Sequence, residues 1–308
     1  TNSDQTATIT VTPDANGCPG TPVSFNITIY PTPSVMQPAN QVVCNRGTTT
    51  GINFTNFTSV VTNAAYSWTN NTPSIGLASS GFGNIPSFTA INNTNSPITA
   101  TIHIQVINNG CPGTPRDFTI TVNPTPDVAQ PANQDICNGS SSSPITFSGA
   151  VNNTSFTWTN DQTSIGLAAT GNGNIATFNA INLSNAPVTA HITVTPMANT
   201  CAGSPESFNI TVNPIPTVNQ PATQSVCNGA LTNAVDFTGA VAGTNYNWTN
   251  DQTSIGLPAN GTGDIPAFNG INNGISPVTA TITVSPEFSS CPGTSKSFRI
   301  TVLPLANL

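Results

Sequence analysis

Residues 187–195 read PVTAHITVT, and residues 207–213 read SFNITVN. In the first run Val188, Ala190, Ile192 and Val194 fall on one side of an extended chain, with Thr189, His191, Thr193 and Thr195 on the other. In the second, Phe208, Ile210 and Val212 alternate with polar residues. A period of two marks a half-buried strand, and Gly203, Ser204 and Pro205 between the runs supply a turn. The pair predicts a β-hairpin. Helical 3.6-residue periodicity appears nowhere over a useful length.

Working upstream, PITFSG (144–149) and FTWTN (156–160) predict two more strands, with Phe156 and Trp158 sharing a face, and IATFNAI (175–181) predicts another. The set is written more than once. YSWTNNTPSIGLASSGFGNIPSF begins at Tyr66, FTWTNDQTSIGLAATGNGNIATF at Phe156 and YNWTNDQTSIGLPANGTGDIPAF at Tyr246, so Trp68, Trp158 and Trp248 stand 90 residues apart. The cysteines keep nearly the same step in two series. Cys18, Cys111, Cys201 and Cys291 each precede a glycine closely, and Cys44, Cys137 and Cys227 sit in VVCN, DICNG and SVCNG. A catalytic loop is needed once, whereas a structural unit gains from being copied. Proline-rich runs ending at Pro33, Pro126 and Pro216 separate the copies as short, semi-rigid connections.

Roughly seven short strands in about 90 residues, with a Trp on the third long one, describe an immunoglobulin-like sandwich. The predicted fold is therefore all-β, with tandem sandwich domains in a linear rod at about 40 Å per unit. The units run 34–126, 127–216 and 217–308, and residues 1–33 hold the last two strands of a further one. Trp68, Trp158 and Trp248 are predicted core residues, joined in the middle unit by Phe147, Phe178 and Phe208. Half a sandwich cannot bury its own face. The strands that complete residues 1–33 are expected N-terminal in a longer protein, the preferred reading, or from a partner by strand complementation.

Composition excludes several classes of function. Charged residues are 5% of the 308, against about 25% in an average soluble protein. The four basic residues, Arg46, Arg116, Lys296 and Arg299, within a net charge of -7, leave no basic stripe for nucleic acid or anionic lipid. No apolar run approaches a membrane span, so direct membrane insertion of this segment is not expected.

The segments QPANQDICNG, FTWTNDQTSIGLAATGNGNIATF and PVTAHITVTPMANTCAGSPESFNITVNPIP resemble the PKD-like, immunoglobulin-like repeats of very long cell-surface adhesins of gliding Bacteroidota, exported by type IX secretion. The likeness covers essentially the whole chain. It implies a secreted or surface-anchored, adhesin-like rod and carries over no catalytic residue.

Single-residue candidates for chemistry are weak. His103 and His191 fall on outward threonine positions, at different places in their repeats, and read as surface histidines. Calcium would need clustered carboxylates, but Asp161, Asp251 and Asp264 stand singly, and the first repeat has Asn at the equivalent positions. No metal site and no cofactor is predicted. Lys–Asn isopeptides are excluded from the first two complete repeats, which contain no Lys. The glycines of ATGNGNI read as turns.

The cysteines carry the chemistry. Two per repeat at fixed positions, with no catalytic partners, argue for structural disulfides formed in an oxidising compartment. Cys44 would end the first strand of its unit and Cys111 would lie in the hairpin between the last two, at opposite ends of a sandwich about 25 Å long. An end-to-end staple, Cys44 with Cys201 and Cys137 with Cys291, is preferred to pairing within a unit. Both stay open, and Cys18 with Cys44 ranks last. Cys227 belongs to the same series. The reading reached is an extracellular, non-enzymatic stalk segment that projects a distal binding region. Its partners would be neighbouring repeats and further copies, lateral or end to end. A carbohydrate- or surface-binding sandwich is the alternative, with Phe82 the one odd aromatic.

Overall fold

Alternation of threonine with aliphatic residues becomes strand wherever it occurs. The computed structural model describes residues 3–54 and 64–305. The outer limits of the first and last segments, residues 1 and 308, lie outside that range. The N-terminal strands are β1 (Gln5–Val11), β2 (Asp14–Ala15), β3 (Cys18–Pro19) and β4 (Val23–Ile29). The next set is β5 (Gln41–Cys44), β6 (Ala64–Asn70), β7 (Ser80–Phe82), β8 (Ile98–Asn108), β9 (Cys111–Pro112) and β10 (Arg116–Asn123). It recurs as β11 (Gln134–Cys137), β12 (Ser155–Asn160), β13 (Thr170–Asn172), β14 (Val188–Ala198), β15 (Cys201–Ala202) and β16 (Glu206–Asn213). It recurs again as β17 (Gln224–Cys227), β18 (Asn245–Asn250), β19 (Asn260–Thr262), β20 (Val278–Phe288), β21 (Cys291–Pro292) and β22 (Lys296–Leu303).

Each set builds one sheet of the same order. In the middle one it is β11-β16-β14-β12-β13, with β15 returning onto β14. The predicted hairpin is β14 with β16, in the register Ile192↔Phe208 and Ala190↔Ile210. The first strand joins it in parallel, Cys137 opposite Asn213. Ile192, Val194, Ile210 and Val212 are fully buried, and covering a large aliphatic side chain contributes about 1.5–3 kcal/mol. The opposite face explains the low charge of the chain. Thr189 and Thr211 lie 3.0 Å apart through their hydroxyls, Thr99 and Thr121 2.9 Å, and Thr279 and Thr301 2.9 Å. Such cross-strand pairs keep a sheet wet and stable without ions, at about 0.2–1 kcal/mol each.

The second layer differs from expectation. PITFSG and IATFNAI are not continuous strands but extended segments joined by isolated bridges, Ile145↔Ile175 and Ser141↔Asn179. Trp158 thus lies on the second strand of its set, β12, rather than the third. Pro144 has no N–H to give a ladder, and side chains complete the layer. The Ser142 hydroxyl accepts the Phe178 amide at 3.0 Å, and the Asn174 side-chain oxygen accepts the Phe147 amide at 2.9 Å.

The tryptophans fill the gap between the layers. Trp68, Trp158 and Trp248 are 6, 7 and 6% exposed. Each lies over the glycine opposite it on the short neighbouring strand: Gly81, Gly171 and Gly261. A Cβ at Gly171 would overlap Cζ2 of Trp158. Gly171→Ala should therefore destabilise by about 1–3 kcal/mol through overpacking alone, measured by urea unfolding against the wild-type chain.

Tertiary packing gathers the described residues of 1–128, 148–155 and 196–204 into one compact unit and those of 129–147, 156–195 and 205–308 into a second. The N-terminal hairpin β1–β4 keeps the same antiparallel register as its counterparts, Ile9↔Phe25, but every residue of both strands is exposed. Among the described residues no helix is long and apolar enough to cross a membrane.

Candidate functional site

The cysteines are set by strand register. Parallel pairing of β5 on β10 ends with Cys44 opposite Asn123, and that of β11 on β16 ends with Cys137 opposite Asn213. The other series sits one residue past a two-residue hairpin turn. Asn199 and Thr200 have φ of 48° and 66°, and Ser289 and Ser290 have 46° and 63°, the left-handed pair that matches sheet twist. Cys44 is bonded to Cys201, with Cα atoms 5.6 Å apart, and Cys137 to Cys291, with Cα atoms 5.5 Å apart. Each bond joins the first strand of one repeat to the hairpin turn of the next. Each also lies within a single compact unit. Cys18, Cys111 and Cys227 are free thiols, so neither Cys44–Cys111 nor Cys18–Cys44 forms.

Three features bring those sulfurs together. Gly203 lies so close to the linker that a Cβ there would overlap the Pro126 carbonyl oxygen, and Gly293 stands in the same relation to Pro216. The Asn123 side-chain amide donates to the Asn199 carbonyl at 3.2 Å, next to the bonded pair. The linker itself is held, since Asp127 Oδ1 accepts the Ala150 amide at 2.6 Å. In consequence Cys201 and Cys291 are 2 and 1% exposed.

The turn beside Cys201 holds a β-branched residue in left-handed conformation, which costs about 1–2 kcal/mol for an L side chain. The equivalent turn beside Cys111 uses Asn109 and Gly110. Thr200→Gly should raise stability by about 1 kcal/mol with the Cys44–Cys201 bond retained, read as a higher urea midpoint at unchanged slope.

The remaining candidates have local roles. His103 Nδ1 lies 2.6 Å from Asp117 and His191 Nδ1 3.0 Å from Asp161, all four side chains about half exposed or more. These carboxylates are 14 and 30 residues from their histidines in sequence. Only cross-strand and loop geometry brings them together. The His191 backbone N–H, more than its ring, holds the Asp161 carboxyl below the usual range. The three aspartates weighed for calcium accept backbone amides instead. Asp161 takes His191, Asp251 takes Thr281 at 2.6 Å and Asp264 takes Phe237 at 2.7 Å. Asn71 and Asn84 do the same in the first repeat, for Thr101 and Phe54. One accepting oxygen suffices, so Asn and Asp interchange. Among the described residues no three His, Cys, Asp or Glu side chains gather into a metal-binding group. Burial pushes the Tyr66 hydroxyl up to about 12.

No protein-family model matches this sequence, and no curated protein matches it. Among solved structures, the N-terminal eight Ig domains of DSCAM isoform 1.30.30 align with 99% of this chain at TM-score 0.51 and 12% identity. This chain spans 40% of that one. A human CDH23 EC21-23 structure aligns with 88% of this chain and 100% of its own at TM-score 0.39 and 15% identity. The human desmocollin-1 ectodomain aligns with 97% of this chain and 68% of its own at TM-score 0.36 and 12% identity. The first of these likenesses establishes the fold: tandem immunoglobulin-like β-sandwiches.

Proposed function

We propose that this chain is a structural stalk or filament segment of an extracellular repeat adhesin, projecting a distal binding region from a cell surface. The observation that carries the reading is the pair of disulfides that tie the first strands ending at Cys44 and Cys137 to the hairpin of the next repeat. A bond inside a fold stabilises that fold, whereas a bond across the linker makes successive folds one load-bearing element. Repeats at 34–126, 127–216 and 217–308 are the units of this reading. The sequence likeness to gliding-motility adhesins of Bacteroidota supports type IX export, and oxidised cysteines support an extracellular location. The non-enzymatic part of this reading rests on the copied, structural character of the repeats; each histidine meets one exposed carboxylate.

A carbohydrate- or surface-binding module is the second reading, favoured by Phe82, which is 89% exposed at the edge of its sheet. A glycan array probed with the labelled chain separates the two. No retained glycan is the expected result. Saturable binding that Phe82→Ala abolishes would replace the stalk reading with the module.

A further inference from the structure

Asn followed by Gly occurs eight times in this chain. In that pairing the asparagine side chain is most open to attack by the next backbone nitrogen, because glycine has no Cβ to obstruct the approach. The attack needs a nitrogen whose N–H is free, since a bonded one must first give up its acceptor. In seven of the eight the fold holds it. Gly139 and Gly229 donate to the carbonyls of Ala180 and Gly270 at 2.8 Å, Gly173 to Phe156 at 2.8 Å and Gly270 to Ala230 at 2.9 Å. Gly17 and Gly274 donate to the side-chain oxygens of Asp14 and Asn272 at 3.0 and 2.9 Å. Gly261 lies in the β18–β19 ladder between the bonds Asn250 to Ala259 and Gly263 to Tyr246, and antiparallel alternation puts its N–H on Trp248.

Gly110 is the exception. It is the second residue of the left-handed turn between β8 and β9, where Asn109 has φ of 45° and Gly110 of 83°. Among the described residues its N–H has no acceptor, and the same holds for Thr200 and Ser290 in the equivalent turns. Those two turns stay exposed with their disulfides closed, so exposure belongs to the turn itself and not to what adjoins it. They lack the other half of the chemistry. Ser289 has no side-chain amide, and after Asn199 the branched side chain of Thr200 crowds the attacking nitrogen.

We propose that Asn109–Gly110 is a self-modification site, at which Asn109 converts spontaneously to aspartate or isoaspartate. The Gly110 nitrogen gives its proton to hydroxide and attacks Asn109 Cγ. An N–Cγ bond forms, the Cγ–Nδ2 bond breaks, and ammonia leaves with that electron pair and a proton from water. One water then opens the cyclic imide at either carbonyl, so the sum is water in and ammonia out, with no oxidation. Opening at one carbonyl gives ordinary aspartate. Opening at the other routes the main chain through Cβ and Cγ and lengthens a turn whose geometry must match the strand twist. The strained Thr200 keeps the corresponding turn beside Cys201 from the same fate.

The test holds the intact 308-residue chain, with both native disulfides, in warm, mildly alkaline heavy-oxygen water. Mass-spectrometric peptide mapping follows the heavy oxygen that each asparagine acquires, and an isoaspartyl methyltransferase reads the isoaspartate. Asn109 should convert at least about 10-fold faster than each of the other Asn-Gly asparagines, the factor set by one withheld hydrogen bond. Thr200→Gly removes the crowding and should bring Asn199 to within about 3-fold of the Asn109 rate. Conversion spread evenly over the Asn-Gly pairs, or led by another of them, would overturn the proposal. So would an Asn199 that stays intact in Thr200→Gly.

Discussion

Cys201→Ser should lengthen the fully stretched chain by about 100 Å, and loss of both disulfides should lengthen it by roughly 600 Å, at about 3.5 Å per residue. The excess over additivity comes from the way the two bonds overlap. Cys44–Cys201 and Cys137–Cys291 span 157 and 154 residues, and the first closes after the second has opened. Load entering at Cys44 crosses to Cys201, runs back through the roughly 64 residues to Cys137, and crosses again to Cys291. Without the first bond the path becomes Cys44 to Cys137 through the chain, a gain of only about 29 residues. Without both, every residue between Cys44 and Cys291 bears tension. Single-molecule extension of the wild type, Cys201→Ser, Cys291→Ser and the double variant reads these lengths directly. Additive gains of about 200 Å for each variant would mean that each disulfide closes within its own repeat, contrary to the interlocked path.

Trp158→Ala should cost about 3–5 kcal/mol, the range for removing a buried large aromatic side chain. The side chain is 7% exposed, and among the described residues its Nε1 has no hydrogen-bond partner, so its contribution is packing rather than polar recognition. Trp158→Phe should therefore cost far less. The glycine beneath it sharpens the test. Gly171→Ala is unfavourable because the new methyl overlaps the indole, so in a Trp158→Ala background its penalty should vanish. Urea unfolding of the four chains closes the cycle. A Trp158→Ala loss below about 1 kcal/mol would mark the indole as a surface group and revive the ligand-platform reading.

The periodic parts of the fold were legible because their cause is local. Alternation in PVTAHITVT and SFNITVN marks β14 and β16 whatever surrounds them, since inward and outward side chains must alternate in a strand. The period of 90 between Trp68, Trp158 and Trp248 gave the copies, and apolar alternation in residues 1–33 identified a hairpin whose apolar face lies exposed. The second layer was less legible, because Ser142 and Asn174 replace ladder bonds with side-chain ones that have no period.

The disulfides show where sequence stops. A fixed repeat makes Cys44 equally compatible with Cys111 and with Cys201, since the two are equivalent positions one period apart. A qualitative estimate of strand length favoured the distant partner but left the choice open. Tertiary structure decides it through the close approach of Pro126 to Gly203, which seats the next repeat's turn against Asn123 and Cys44. The same distinction applies to Asp161, Asp251 and Asp264: carboxylates that suggest a cation in one dimension become acceptors for His191, Thr281 and Phe237 in three. Local alternation and repetition are written in single residues and their neighbours, and the sequence by itself determined them. Which ends meet depends on how whole sheets stack, and that distance is set only once the chain has folded.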